Sequence, residues 1–228
     1  MRALLVANVA DADAGCVGDR FRHHGFDFQL CGREEFRSWP GLDAVDLVVL
    51  LGSDWSVYWP HVADEVAAEV ELIREAQRSG IPQFGICFGS QSMAQALGGH
   101  VARSAVAELG WHQVTSHLPS VIAEEPWFQW HYDVVTLPFG AELLASGPVG
   151  PQAWRIGRGV ATQFHPEVTE SVIARWSAGA GAAELERFGI RPEDLIAETR
   201  AKVALSRPNA DRLVDWFLEE CSGRSAER

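Results

Sequence analysis

Cys87 stands between two glycines in Gly85-Ile86-Cys87-Phe88-Gly89, directly after an apolar run that begins at Ile81. The spacing is that of a nucleophile held on a tight turn from strand to helix. On such a turn the neighbouring backbone comes so close that only glycine fits on either side. The helix that follows presents its positive N-terminal end, which favours a thiolate. The amide of Phe88 can face a developing oxyanion. Free cysteine is otherwise a small, inert core residue. Cys16, Cys31 and Cys221 lack the glycines and the turn, and read as structural.

A thiol of this kind needs a base. Gln163-Phe164-His165-Pro166-Glu167 closes another apolar, β-like run. Pro166 stops the strand and keeps His165 extended. That places the imidazole on the rim where parallel sheets carry their sites. Glu167, two residues on, can point to the same side and hold one ring nitrogen, the orienting part of a triad. His-Pro-Glu alone is a common surface arrangement; joined to the cysteine turn it points to nucleophilic catalysis.

Several elements must bring these groups together. The run 3–9 is short and near-continuously apolar, as a strand buried on both faces is, and 26–31, 45–52 and 81–87 read the same way. Val62, Val66, Val70 and Ile73 recur at helical spacing between the last two runs, with acids on the other face. Helices between buried strands predict right-handed crossovers and a parallel sheet. A helix is predicted after Cys87, ending at Gly98-Gly99. From about 100 to 165, close-spaced β-like pieces broken by Gly and Pro predict hairpins or mixed strands. The rest reads as helical through 169–176, 192–205 and 209–220, with 222–228 expected to fray. The fold class expected is α/β: a mostly parallel, flavodoxin-like sheet flanked by helices, with a small mixed or antiparallel portion. Residues 1–228 read as a single domain with a helical C-terminal extension from about 178 to 221.

The stretches GICFGSQ (85–91) and QFHPE (163–167) together resemble the class I, triad-type glutamine amidotransferase family, in a stand-alone form similar to the glutaminase domain of GMP synthase. Other pieces match in order. LLGSDWSVYW (50–59) resembles the glycine-rich oxyanion loop, ELGWHQV (108–114) the Glu-hydrophobic-Gly-aromatic segment and WHYDVV (130–135) the His-x-Asp segment. The resemblance implies that Cys87 attacks the γ-carbonyl of glutamine or of a γ-glutamyl small molecule. His165 would act as base and acid, oriented by Glu167. Amides at Gly52, Ser53 and Phe88 would form the oxyanion hole, and Gln91, His131 and Asp133 would contact substrate. It implies no cofactor, and an ammonia-accepting synthetase subunit as a separate partner is one form such a protein takes. One departure stands out: Ser53 and Asp54 follow Gly52 where the family usually has a second glycine and a proline. Asp54 is also readable as a cap for the 60–79 helix.

Composition sets limits. With 31 acidic against 19 basic side chains, the formal charge of −12 argues against a nucleic-acid surface. No segment approaches the roughly 18 apolar residues of a membrane span, and the start lacks a signal-peptide pattern. The scattered cysteines suggest a reduced, cytoplasmic protein rather than a disulfide framework. His131 and Asp133 lack a further ligand at metal spacing, so no metal is expected. The nine tryptophans read mainly as core and rim packing. No phosphate-binding G-x-x-x-x-G-K-[ST] loop is present. A regulator or redox sensor could use Cys87 on the same turn, but has no use for His165 and Glu167. A hydrolase of the α/β-hydrolase kind would share the turn but set its acid before the histidine.

Overall fold

Ala3 and Leu5 face one way along the first strand and Leu4 and Val6 the other, and all four are buried. A strand covered on both sides needs a layer of helices on each face, and the computed structural model shows both layers. In chain order the elements are β1 (Arg2–Ala7), α1 (Gly15–His23), β2 (Asp27–Gly32), β3 (Leu47–Leu50), α2 (Ala63–Arg78), β4 (Gln83–Ile86), α3 (Phe88–Ala96) and β5 (His100–Gln113). There follow β6 (Thr115–Ser116), β7 (Pro126–Thr136), β8 (Glu142–Ser146), β9 (Pro151–Ile156), β10 (Gly159–Thr162), α4 (Glu170–Trp176), α5 (Ala180–Arg187) and α6 (Pro192–Ser222). The structure describes residues 1–222; the remainder of the stretch expected to fray, 223–228, lies outside the described residues.

The eight-stranded sheet runs β2-β1-β3-β4-β10-β9-β8-β6. Its first five strands are parallel and the other three pair antiparallel. The parallel part has the flavodoxin-like order. A separate antiparallel pair, β5 with β7, is the small β portion expected of the middle region. β2 differs from its expectation: it is an edge strand, and Leu30 is exposed because only one neighbour covers it. The two helices expected over 192–220 form one, α6, which runs through Pro208. β8 and the first half of β5 carry no apolar run longer than three residues, which hid them from a pattern-based reading.

Val62, Val66, Val70 and Ile73 all face inward, packing with Met93 of α3 on one side of the sheet. On the other side α1 and α6 meet the strands through edge-to-face rings. Phe21 lies 5.8 Å from Phe84 and 5.9 Å from Phe217, and Phe84 lies 5.2 Å from Phe217. Leu213, Val214 and Phe217 are completely buried, so the C-terminal helix completes this core rather than standing off from it. Among the described residues no helix is long and apolar enough to cross a membrane.

Truncating Phe217→Ala should cost about 3–5 kcal/mol, as a large ring deleted from a packed core does. Urea unfolding reads this as a lowered midpoint; an unchanged midpoint would show that α6 is not part of the cooperative core.

Candidate active site

Strands β3, β4 and β10 end side by side, and the chain leaving their carboxyl ends carries Gly52, Cys87 and His165. This crevice is where parallel sheets place ligands. Cys87 has φ 51° and ψ −104°, a backbone conformation that non-glycine residues rarely hold. Its amide donates to the Thr162 carbonyl at 2.7 Å, and its own carbonyl accepts from the Gln91 amide at 3.0 Å. A Cβ on Gly85 would stand 2.6 Å from the Met93 sulfur, and one on Gly89 only 2.3 Å from the Leu50 carbonyl oxygen. The glycines are there for space, as the sequence pattern suggested.

His165 reaches the thiol from β10. Its backbone amide donates to the Phe128 carbonyl at 2.8 Å, which ties the segment to β7. Nδ1 bonds Glu167 Oε1 at 2.7 Å, which leaves Nε2 as the free ring nitrogen; it is buried with no protein partner. Trp176 closes the imidazole edge-on at 4.9 Å. Burial lowers the pKa of His165, but the Glu167 carboxylate and then the Cys87 sulfur outweigh it and hold it well above the ordinary 6.5. Gly52 lies against both groups: a Cβ there would sit 3.0 Å from His165 Cε1 and 3.6 Å from Cys87 Cβ. A buried thiol beside a carboxylate-oriented imidazole has the groups that nucleophilic catalysis at a carbonyl requires.

A model of the family described as glutamine amidotransferase class-I matches residues 41–174, more than half of the chain. The chain belongs to the class-I glutamine amidotransferase family. It is 35% identical over 174 residues to a GMP synthase [glutamine-hydrolyzing] from Aeropyrum pernix, covering 68% of this chain and 32% of that protein. Identity to the GMP synthase of Mycolicibacterium paratuberculosis is 37% over 154 residues, covering 59% and 27%. The chain thus spans between about a quarter and a third of the length of these curated relatives. Among solved structures, a glutamine amidotransferase from Thermotoga maritima superposes with a TM-score of 0.87 at 29% identity, covering 96% of this chain and 99% of that one.

In this amidotransferase the remaining site residues are placed as follows. Ser53 Oγ accepts from the Trp55 amide at 3.1 Å and so bends the loop after Gly52. Asp54 is exposed and does not cap α2, whose N-cap is Val62 without a side-chain bond. Gln91 is buried one turn into α3, its amide donating to Gln163 Oε1 at 3.4 Å. His131 and Asp133 are also buried, and protein groups take up both Asp133 oxygens and one of the two His131 ring nitrogens. His131 Nε2 stands 3.0 Å from Glu108 Oε2, off the angle of a hydrogen bond, and its Nδ1 faces the Asp133 carbonyl at 3.1 Å. Asp133 accepts from Ser56 Oγ at 2.6 Å and from the Tyr58 hydroxyl at 2.8 Å.

Sequence reasoning missed four residues at this site. Gln163 donates to Cys87 Sγ at 3.6 Å; it lies two before His165, and period-2 alternation puts both on one side, a signal that was available. The Trp130 carbonyl lies 3.9 Å from Cys87 Sγ, and nothing local marked it. Trp176 and the buried Arg33 likewise reach the site only through the fold.

The four cysteines should differ sharply in reactivity. Burial pushes the thiols of Cys16, Cys31 and Cys221 up to about 11. Brief treatment of the native protein with iodoacetamide at mildly alkaline pH should add one label, on Cys87. Mass spectrometry of tryptic fragments checks this, and labelling spread evenly over the four would contradict it.

Proposed function

We propose that the chain hydrolyses the γ-carboxamide of glutamine, or the γ-amide of a related γ-glutamyl compound, through a thioester on Cys87. The observation that carries this reading is the positive-φ Cys87 facing an imidazole whose other nitrogen is held 2.7 Å from a buried carboxylate. In this mechanism the Cys87 sulfur attacks the γ-carbonyl carbon, and the carbonyl oxygen becomes an oxyanion. Amides of the Gly52-Ser53 loop and of Phe88 donate to that oxygen. The His165 imidazolium then gives its Nε2 proton to the leaving nitrogen as the C–N bond breaks. Ammonia or an amine departs and the thioester remains. Water attacks the thioester, His165 takes its proton, the C–S bond breaks, and glutamate leaves. Gln91 is assigned to the amino-acid end of the substrate. His131 and Asp133, given their protein partners, are read as holding the wall of the site beside Trp130 rather than as direct contacts.

A second reading concerns the fate of the ammonia. The curated relatives carry the name GMP synthase, and the chain matches between about a quarter and a third of their length. That favours a role as ammonia supplier to a synthetase whose acceptor site lies outside the region matched here.

The test is glutamate release from glutamine, γ-glutamyl amides and γ-glutamyl peptides compared side by side. Glutamine should be a substrate, and Cys87→Ala should lower turnover by about 10⁴-fold or more while leaving the circular dichroism unchanged. Absence of glutamate from every substrate would sink the hydrolase reading, and peptides outrunning glutamine would sink the ammonia-supplier reading.

The pH profile provides a separate check. Because the His165 pKa is raised, the imidazolium needed for the leaving group persists above the ordinary imidazole range and is lost as pH climbs through that raised value. Turnover should therefore fall on the alkaline side. Glu167→Gln removes the largest raising influence and leaves burial to pull the other way. The alkaline limb should move to lower pH; a limb that stays in place shows that Glu167 does not set the imidazole.

A further inference from the structure

Arg33 follows β2 directly and its side chain is 1% exposed, paired with Glu69 of α2, which is 0% exposed. Every guanidinium N–H has an acceptor. Nε donates to Glu69 Oε2 at 2.6 Å and Nη2 to Glu69 Oε1 at 3.3 Å. Nη1 donates to Asn8 Oδ1 and to the Gly52 carbonyl, both at 3.0 Å, and Nη2 to the Leu51 carbonyl at 2.8 Å. The five donors of the group are thus used without remainder. The guanidinium also lies over the Phe88 ring, 4.6 Å from its centroid.

Taking two charges out of water is costly, and an apolar pair of similar volume often serves stability as well or better. The more informative fact is what this cation grips. Leu51 and Gly52 contribute successive carbonyls of the loop that leaves β3, and Gly52 lies against Cys87 and His165. In a trans peptide the carbonyl and the following N–H point in opposite directions. Drawing the two carbonyls toward Arg33 turns the amides of Gly52 and Ser53 away from it. A charged donor on a carbonyl also polarises that peptide and strengthens its N–H as a donor. The same guanidinium packs on Phe88, whose amide is the other oxyanion donor under the proposed mechanism.

We propose that Arg33 is a positioning residue: locked by Glu69, it sets and polarises the Gly52 and Ser53 peptides in register with Phe88, so that their N–H groups meet the oxyanion formed at Cys87. This rests on the hydrolase reading above, and the experiment keeps the two apart. Iodoacetamide alkylates a thiolate by displacing iodide and forms no oxyanion, whereas thioester formation must form one. Arg33→Lys keeps the charge but, with three donors in place of five, cannot hold both carbonyls, Asn8 and Glu69 together.

For Arg33→Lys we expect kcat for γ-glutamyl hydrolysis to fall by about 10–100-fold, the scale of a displaced donor. KM and the rate of Cys87 alkylation should stay close to wild type. Parallel loss of alkylation and turnover would mean that Arg33 merely supports the site, and unchanged turnover would mean that it does not position the donors; either result overturns the proposal. Should thermal melting show that Arg33→Lys does not fold, Glu69→Gln, which keeps the shape and loosens the anchor, is measured the same way. It should show the same split at smaller amplitude, and the same two outcomes count against the proposal. A wild-type protein that alkylates at Cys87 yet releases no glutamate overturns the hydrolase reading, and this inference with it, before any variant is made.

Discussion

The candidate site depends on how closely the first turn of α3 lies against the end of β3. At Gly89 a side chain would stand 2.3 Å from the Leu50 carbonyl oxygen. That approach forces the chain to reverse at Cys87, where the backbone takes a conformation that costs of order 1–3 kcal/mol for a non-glycine residue. The strain persists because the surroundings over-determine it. The Cys87 amide continues the β4–β10 ladder to Thr162, its carbonyl begins the hydrogen bonding of α3, and Ile86 and Phe88 on either side are buried. The thiol is thereby lifted clear of both strand and helix at the sheet's edge.

Around it stand three buried carboxylates, each facing a nitrogen base: Glu69 bonds Arg33 at 2.6 Å, Glu167 bonds His165 at 2.7 Å, and Glu108 lies 3.0 Å from His131 without a hydrogen bond. Their targets are the loop after β3, the segment after β10 and the β5–β7 pair. The paired groups are buried, so each contact acts in a lower dielectric and holds its segment more firmly than a surface pair would. The backbone reinforces them. The Cys16 amide donates to the Glu167 carbonyl at 2.9 Å, which docks the orienting acid on the start of α1. Preorganised groups of this kind need no reorganisation when charge develops.

How much of this the sequence revealed follows from distance along the chain. The cysteine turn and His-Pro-Glu are local, because sterics and strand periodicity place their members within a few residues of one another. The parallel sheet was legible for the same reason: β1, β3 and β4 are buried on both faces and are mostly apolar. Arg33 and Glu69 were not legible as a pair, because their contact exists only once α2 packs on the sheet. One half of it did leave a trace. Glu69 falls on the stripe marked by Val62, Val66 and Ile73, where the helical period calls for an inward-facing residue, and an acid at such a position requires a buried partner. The partner's identity lies in the fold. His131 and Asp133 show the converse limit, since their residue types suggest ligand contact while the fold commits both to Glu108, Ser56 and Tyr58.

The boundaries of the family match sharpen this division. Cys87, His165 and Glu167 lie inside residues 41–174, whereas Arg33, Trp176 and Glu184 lie outside. Trp176 nevertheless closes the imidazole, and Glu184 accepts from the Trp130 indole N–H at 3.1 Å, steadying the residue whose carbonyl faces the thiol. The matched region thus holds the groups proposed to react, while flanking segments supply part of what surrounds them. Chemistry constrains the proposed reacting groups to one geometry, whereas Trp176 and Glu184 need only hold the wall around them.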